Sequence, residues 1–201
     1  MKDSTKKYLG ILGLLTVTII WGGGFVASDI ALATLTPFQI MFIRFFIAAV
    51  IMTALGKDSI KSVTKCGAML GSALFGGFAL QIIALQYTTP SKNAFLTATN
   101  VVIVPFIALV IYKKKIPVKS LVGAGMAIVG AAVLSLQSDF SMGIGDLMTL
   151  ACAVCFALQI FLTGEFVGKI RPTVLNFLQM TTAFVLSGVG LIVTGSFRFK
   201  P

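Results

Sequence analysis

The 201-residue chain carries 16 Lys and Arg against 6 Asp and Glu, a net charge of +10, yet only 11% of its residues are charged and 57% are hydrophobic. Soluble domains carry about 25% charged residues, so this composition, with a mean hydropathy of +1.02, excludes an ordinary water-soluble fold and indicates an all-α integral membrane protein. Histidine is absent, which removes the commonest general base, proton relay and metal ligand together.

Seven stretches are long enough to cross a hydrocarbon core that needs about 20 apolar residues per helix: 8–28, 37–55, 66–86, 93–112, 119–137, 144–164 and 173–195. The first follows Lys6 and Lys7, and Val26-Ala27-Ser28 could pass for the cleavage site of a signal peptide. The apolar run from Tyr8 to Phe25 exceeds the usual signal core of about 7–15 residues, so a membrane span is the reading preferred. Trp21 is followed by Gly22-Gly23-Gly24, which either loosens the helix beside a cavity or serves plain packing; each glycine weakens a helix by about 1 kcal/mol relative to Ala.

The second span opens at Pro37 and holds Arg44. An arginine at bilayer centre costs about 2.5–3.5 kcal/mol on insertion scales, so Arg44 is expected to face a cavity or a partner. Asp29, at the outer end of the first span, stands at a similar depth and is expected to pair with it; the alternative is that Arg44 snorkels outward alone. The third span opens with Gly67-x-x-x-Gly71, and the fifth carries Gly123, Gly125 and Gly130, spacings that suit close helix crossings.

In the fourth span Asn93, Thr97 and Asn100 share one helical face, with Pro105 further on. That stripe calls either for a cavity or for interhelical hydrogen bonds. Cys152 and Cys155 in the sixth span have redox-motif spacing but no Asp, His or Lys nearby to lower a thiol pKa, so they read as small packing residues. Asn176 and Gln179 form a shorter stripe on the seventh span. No Gly-rich phosphate loop, catalytic triad or carboxylate pair is present, which argues against an enzyme; no metal or cofactor is expected.

Placing the N-terminus in the cytoplasm assigns twelve Lys and Arg to inner loops (Lys2, Lys6, Lys7, Lys57, Lys61, Lys65, Lys113, Lys114, Lys115, Lys119, Lys169, Arg171) and only Lys92, Arg198 and Lys200 to the outside. That is a strong positive-inside bias. The net charge is then a topology signal with anionic headgroups as its counter-charge, and nucleic-acid binding is not expected.

Residues 21–48 recur at 156–183. Trp21 answers to Phe156, Val26 to Phe161, Pro37 to Pro172, Phe42 to Phe177 and Ala48 to Ala183, all at the offset of 135 that separates the two prolines. Each unit then holds five spans, an odd number, so the two copies enter the membrane from opposite sides, the inverted-repeat design of secondary transporters. The expected organisation is a first repeat over 8–137 and the start of a second over 144–201. Gln179 is the repeat partner of Arg44, a polar group without the charge. Asp29 and Glu165 fall one residue from matching positions, which makes them the candidate coupling carboxylates; the alternative is that headgroups simply solvate both.

Trp21-Gly22 with Phe25-Val26, the arginine in FIRFFIAA, the stretch ALQYTTPSKNAFLTATNVVIVP from Ala84 to Pro105, and LVGAGMAIVGAAVLSL from Leu121 to Leu136 together resemble the EamA-type drug/metabolite transporter superfamily. The resemblance implies two inverted five-helix repeats, ten helices in a complete protein, and export or uptake of a small metabolite through a central cavity by alternating access, with export the direction expected. Two positions depart from the family pattern: Lys114 stands where a Glu is usual, and Asp29 where a Lys is common; no role is carried over to Lys114. The seven spans of this chain leave three helices of that plan unaccounted for, so a transporter fragment is the expectation. The cavity residues expected are Trp21, Arg44, Asn93, Thr97, Asn100, Asn176 and Gln179. The partners expected are the lipid bilayer of the plasma (cytoplasmic) membrane and a small-molecule substrate, with a homodimer left open. A seven-span receptor, a light-driven pump or a non-functional fragment are the competing readings; a retinal pump needs a lysine in the last span, and 173–195 has none.

Overall fold

The computed structural model describes residues 3–55, 64–113 and 143–196, together with 118, 122–126 and 129 between the last two segments. All secondary structure among them is helical. The helices are α1 (Asp3–Ala31), α2 (Pro37–Leu55), α3 (Thr64–Ala84), α4 (Pro90–Ala98), α5 (Asn100–Tyr112), α6 (Ile144–Val167) and α7 (Pro172–Thr194). Six of the seven expected spans correspond to these helices, with α4 and α5 together making the fourth. Most of the fifth, 119–137, lies outside the described residues, as do Gly130 and Lys114.

Boundaries follow local chemistry. Pro37, Pro90 and Pro172 each stand at a helix start, where a missing N–H costs nothing and φ is already helical. Thr89 caps α4 by accepting the Lys92 amide at 3.3 Å, and α7 ends at Gly195 in the left-handed conformation, φ 60°. The fourth span is broken at Thr99. Its amide turns back to Leu96 O at 3.2 Å and its hydroxyl donates to the same carbonyl at 2.6 Å, the competition for backbone acceptors that Thr offers. By contrast Gly22-Gly23-Gly24 interrupt nothing, because α1 runs through them; a Cβ at any of the three would meet nothing within 4 Å. They are not crossing glycines among the described residues.

Packing joins the two ends of the chain. α3 packs against both α6 and α7, α2 against α7, and α4 and α5 against α6, whereas α1 touches α4. Glycines set the closest approaches. A Cβ on Gly67 would collide with the Leu178 Cβ, and one on Gly71 would lie 2.8 Å from the Gln179 carbonyl oxygen. On the other side of α7, Gly188 meets Phe42 and Gly190 meets Phe38. Leu32, Met41, Phe45, Leu74, Ile82 and Ala183 form the core between these helices. Long apolar rows, Ile19, Val110 and Val193 among them, are exposed on the outside of the described helices.

Candidate functional site

A cavity of about 320 Å³ opens among α1, α2, α3, α4, α5, α6 and α7. Ten of its lining residues fall in pairs 135 positions apart: Trp21 with Phe156, Gly24 with Gln159, Phe25 with Ile160, Arg44 with Gln179, Phe45 with Met180. The remainder comes from α3, α4 and α5 through Leu74, Phe78, Gln81, Thr97 and Asn100, with Ala48 from α2.

Five of the residues expected at a cavity therefore line it: Trp21, Arg44, Thr97, Asn100 and Gln179. Asn93 and Asn176 are not among the lining residues: Asn93 lies behind the wall, and Asn176 is exposed. Asn93 is fully buried and donates from Nδ2 to the Gln81 carbonyl at 2.9 Å, tying α4 to α3. Asn176 accepts from Gln179 Nε2. The stripe on the fourth span thus divides by depth, Asn93 bonding between helices while Thr97 and Asn100 reach the cavity.

Two glutamines, absent from the expected set, complete the polar lining. Gln81 Nε2 donates to Thr97 Oγ1 at 3.2 Å, and Thr97 Oγ1 in turn donates to Asn93 Oδ1 at 3.5 Å. Gln159 Nε2 donates to Gln179 Oε1 at 2.9 Å and to Thr163 Oγ1 at 3.2 Å. A signal existed for Gln159, since it is an amide in the middle of an apolar span. Matching like with like across the repeat passes over it because its partner is Gly24.

The expected Asp29–Arg44 pair is corrected. Among the described residues the ion pair is Lys92–Asp146, and no carboxylate pairs with Arg44. Asp29 sits on the exposed end of α1, and the Arg44 guanidinium lies over the Phe78 ring, 4.3 Å from its centroid. Similar depth in two spans does not fix the direction in which each side chain leaves its helix, and a desolvated aromatic face is worth up to about 2 kcal/mol to a cation. Phe78 is itself held edge-on by Phe45 at 5.5 Å and Phe156 at 5.1 Å, so the platform under Arg44 is braced from both halves of the chain.

Neither Asp29 nor Glu165 lines the cavity. Glu165 is half-buried near the end of α6, facing the Tyr112 hydroxyl. A third carboxylate at a helix end, Asp146, lies outside the expected set. Asp146 is 2% exposed at the start of α6 and accepts from Lys92 Nζ at 2.6 Å, Thr88 Oγ1 at 2.9 Å and the Gly143 amide at 2.9 Å. The signal was its position three residues inside an apolar helix, where a carboxylate complements the helix dipole. Cys152 is buried with its sulfur 3.9 Å from Thr97 Oγ1, and Cys155 borders Gly76 at the α3–α6 contact; both thiols are free.

Comparison with known proteins gives one consistent answer. The model of the EamA-like transporter family matches residues 8–136. An uncharacterized transporter of Archaeoglobus fulgidus is 34% identical over 194 residues, covering 96% of this chain and 61% of that protein. The uncharacterized transporter YyaM of Bacillus subtilis is 28% identical over 211 residues, covering 97% of this chain and 68% of its own. An uncharacterized transporter of Clostridium kluyveri is 35% identical over 132 residues, 61% of this chain and 42% of its own. The chain thus spans about three fifths of the length of the Archaeoglobus relative. No solved structure gives a significant match. Apolar helices long enough to cross a bilayer, and a family match over most of the sequence, make this a multi-pass membrane protein that belongs to the EamA-like transporter family.

Proposed function

We propose that the chain forms the substrate-binding part of a secondary transporter that moves a small organic solute across the cytoplasmic membrane by alternating access. The observation that carries the reading is the cavity wall itself, built from five residue pairs at one offset. A site shared between two related units can be exposed to either face by rocking one unit against the other. Among the described residues the polar groups inside are neutral amides, the Thr97 hydroxyl and the Trp21 indole around one cation, a lining that holds a solute by hydrogen bonds without chemistry of its own. Export is the direction the drug/metabolite resemblance supports, and the lysine distribution supports a cytoplasmic N-terminus.

Two measurements test this. In a chain whose three cysteines are changed to serine, Gln159→Cys is expected to react with a membrane-impermeant maleimide in both right-side-out and inverted vesicles. Reaction from one face only would count against alternating access and favour an inert fragment. Orientation is read separately: Thr89→Cys should label in intact cells and Lys169→Cys only after permeabilisation, and the reverse pattern would turn the topology over.

A further inference from the structure

Among the described residues that line it, the cavity carries one formal charge: Arg44 is the sole ionisable group among them that is charged at neutral pH, and no described Asp or Glu accompanies it. Among the described residues its guanidinium takes part in no ion pair and no hydrogen bond. Among the described residues no fully buried side-chain nitrogen lacks a partner, so the Arg44 nitrogens, which make no hydrogen bond, are not sealed within protein. One face of the guanidinium is covered by Phe78. The edge, where the five donors lie in a fork matched to a carboxylate, is left to the cavity.

The opposite wall is different in kind. Gln179, at the repeat position of Arg44, is satisfied by Gln159 and Asn176. The cavity is therefore polarised, with an unneutralised cation on the α2 side and self-satisfied amides on the α6–α7 side. Holding a lone cation away from water is costly unless a counter-charge arrives. The rest of the wall is apolar, with the rings of Trp21, Phe25, Phe45 and Phe156 beside Leu74, Ile160 and Met180, surfaces that take a flat apolar body.

Resting on the transport reading above, we propose that the cavity binds organic monoanions, solutes with one carboxylate head and a planar apolar body. The carboxylate takes the edge of Arg44 in a two-point ion pair and the body lies against the aromatic wall. A single cation neutralises a single charge, so dianionic phosphates would bring uncompensated charge into a poorly solvated space and are disfavoured.

Trp21, the single tryptophan of the chain, is on the cavity wall, so its fluorescence reports occupancy. With the chain in nanodiscs, 3-phenylpropanoate, 3-phenylpropanamide and 3-phenylpropylamine present the same body with an anionic, a neutral and a cationic head. The carboxylate is expected to perturb Trp21 with an affinity about tenfold or more above the amide, the scale of a charge-assisted contact, and the amine is expected to bind most weakly. Arg44→Gln should bring carboxylate and amide to within about twofold, and Arg44→Lys should restore part of the preference. Amide or amine binding as tightly as the carboxylate to the unaltered chain would overturn the proposal, whether or not the variants fold. So would an undiminished preference in a folded Arg44→Gln protein. Two-sided labelling of Gln159→Cys alongside either outcome would leave the transport reading standing with a different substrate class.

Discussion

Replacing Asp146 by alanine is expected to destabilise the chain more than any other single polar substitution among the described residues. Its carboxylate is 3% exposed and gathers the Lys92 ammonium, the Thr88 hydroxyl and the Gly143 amide at the point where α4 meets α6. Removing one partner of a buried pair leaves the other charge uncompensated, which costs about 3–5 kcal/mol when both are sealed; because Lys92 is 21% exposed, a loss near the lower end, about 3 kcal/mol, is expected. Changing Lys92 and Asp146 together to alanine should cost less than the two single losses added, since each single variant already removes the same ion pair. Denaturant unfolding in mild detergent reads both values. An Asp146→Ala protein as stable as the parent, or a double variant whose loss equals the sum of the single ones, would show that the pair contributes little.

Gly71→Ala is expected to cost about 1–3 kcal/mol by forcing α3 and α7 apart. The added methyl would meet Thr182 and lie 2.8 Å from the Gln179 carbonyl oxygen, a backbone atom that cannot swing aside as a side-chain tip can. Gly76→Ala supplies the control five residues along the same helix, because its methyl would meet the Cys155 sulfur at 3.6 Å, an ordinary contact. Close approach of backbones stabilises helix association in lipid, where apolar burial offers no drive of its own. Thermal melts in detergent should therefore separate the two variants clearly. Equal melting temperatures would mean that the α3–α7 crossing is not set at Gly71. Widening this crossing would also move Gln179, so Gly71→Ala should weaken probe binding in the cavity along with stability.

The membrane class and most ends of the described helices were legible in the sequence. Bilayer thickness demands about 20 apolar residues per crossing and proline at a helix start announces itself, so 37–55 was expected and α2 runs Pro37–Leu55. The cavity residues Arg44 and Gln179 could be named because a polar group inside a span is rare and must be accommodated. What no periodicity revealed was direction around the helix axis. Arg44 turns to Phe78 instead of Asp29, and Asn93 turns to the Gln81 carbonyl while Thr97, one turn later, reaches the cavity. Hydropathy measures depth, whereas a partner is chosen by azimuth, and azimuth is settled only when neighbouring helices pack. The same holds for the break at Thr99, which depends on a hydroxyl competing for Leu96 O, and for Gly22-Gly23-Gly24, which look like a crossing until their surroundings prove open. Composition determined that this chain lies in a membrane. Tertiary packing decided which faces of its helices meet, and so, among the described residues, placed a cation without an ion pair among aromatic rings.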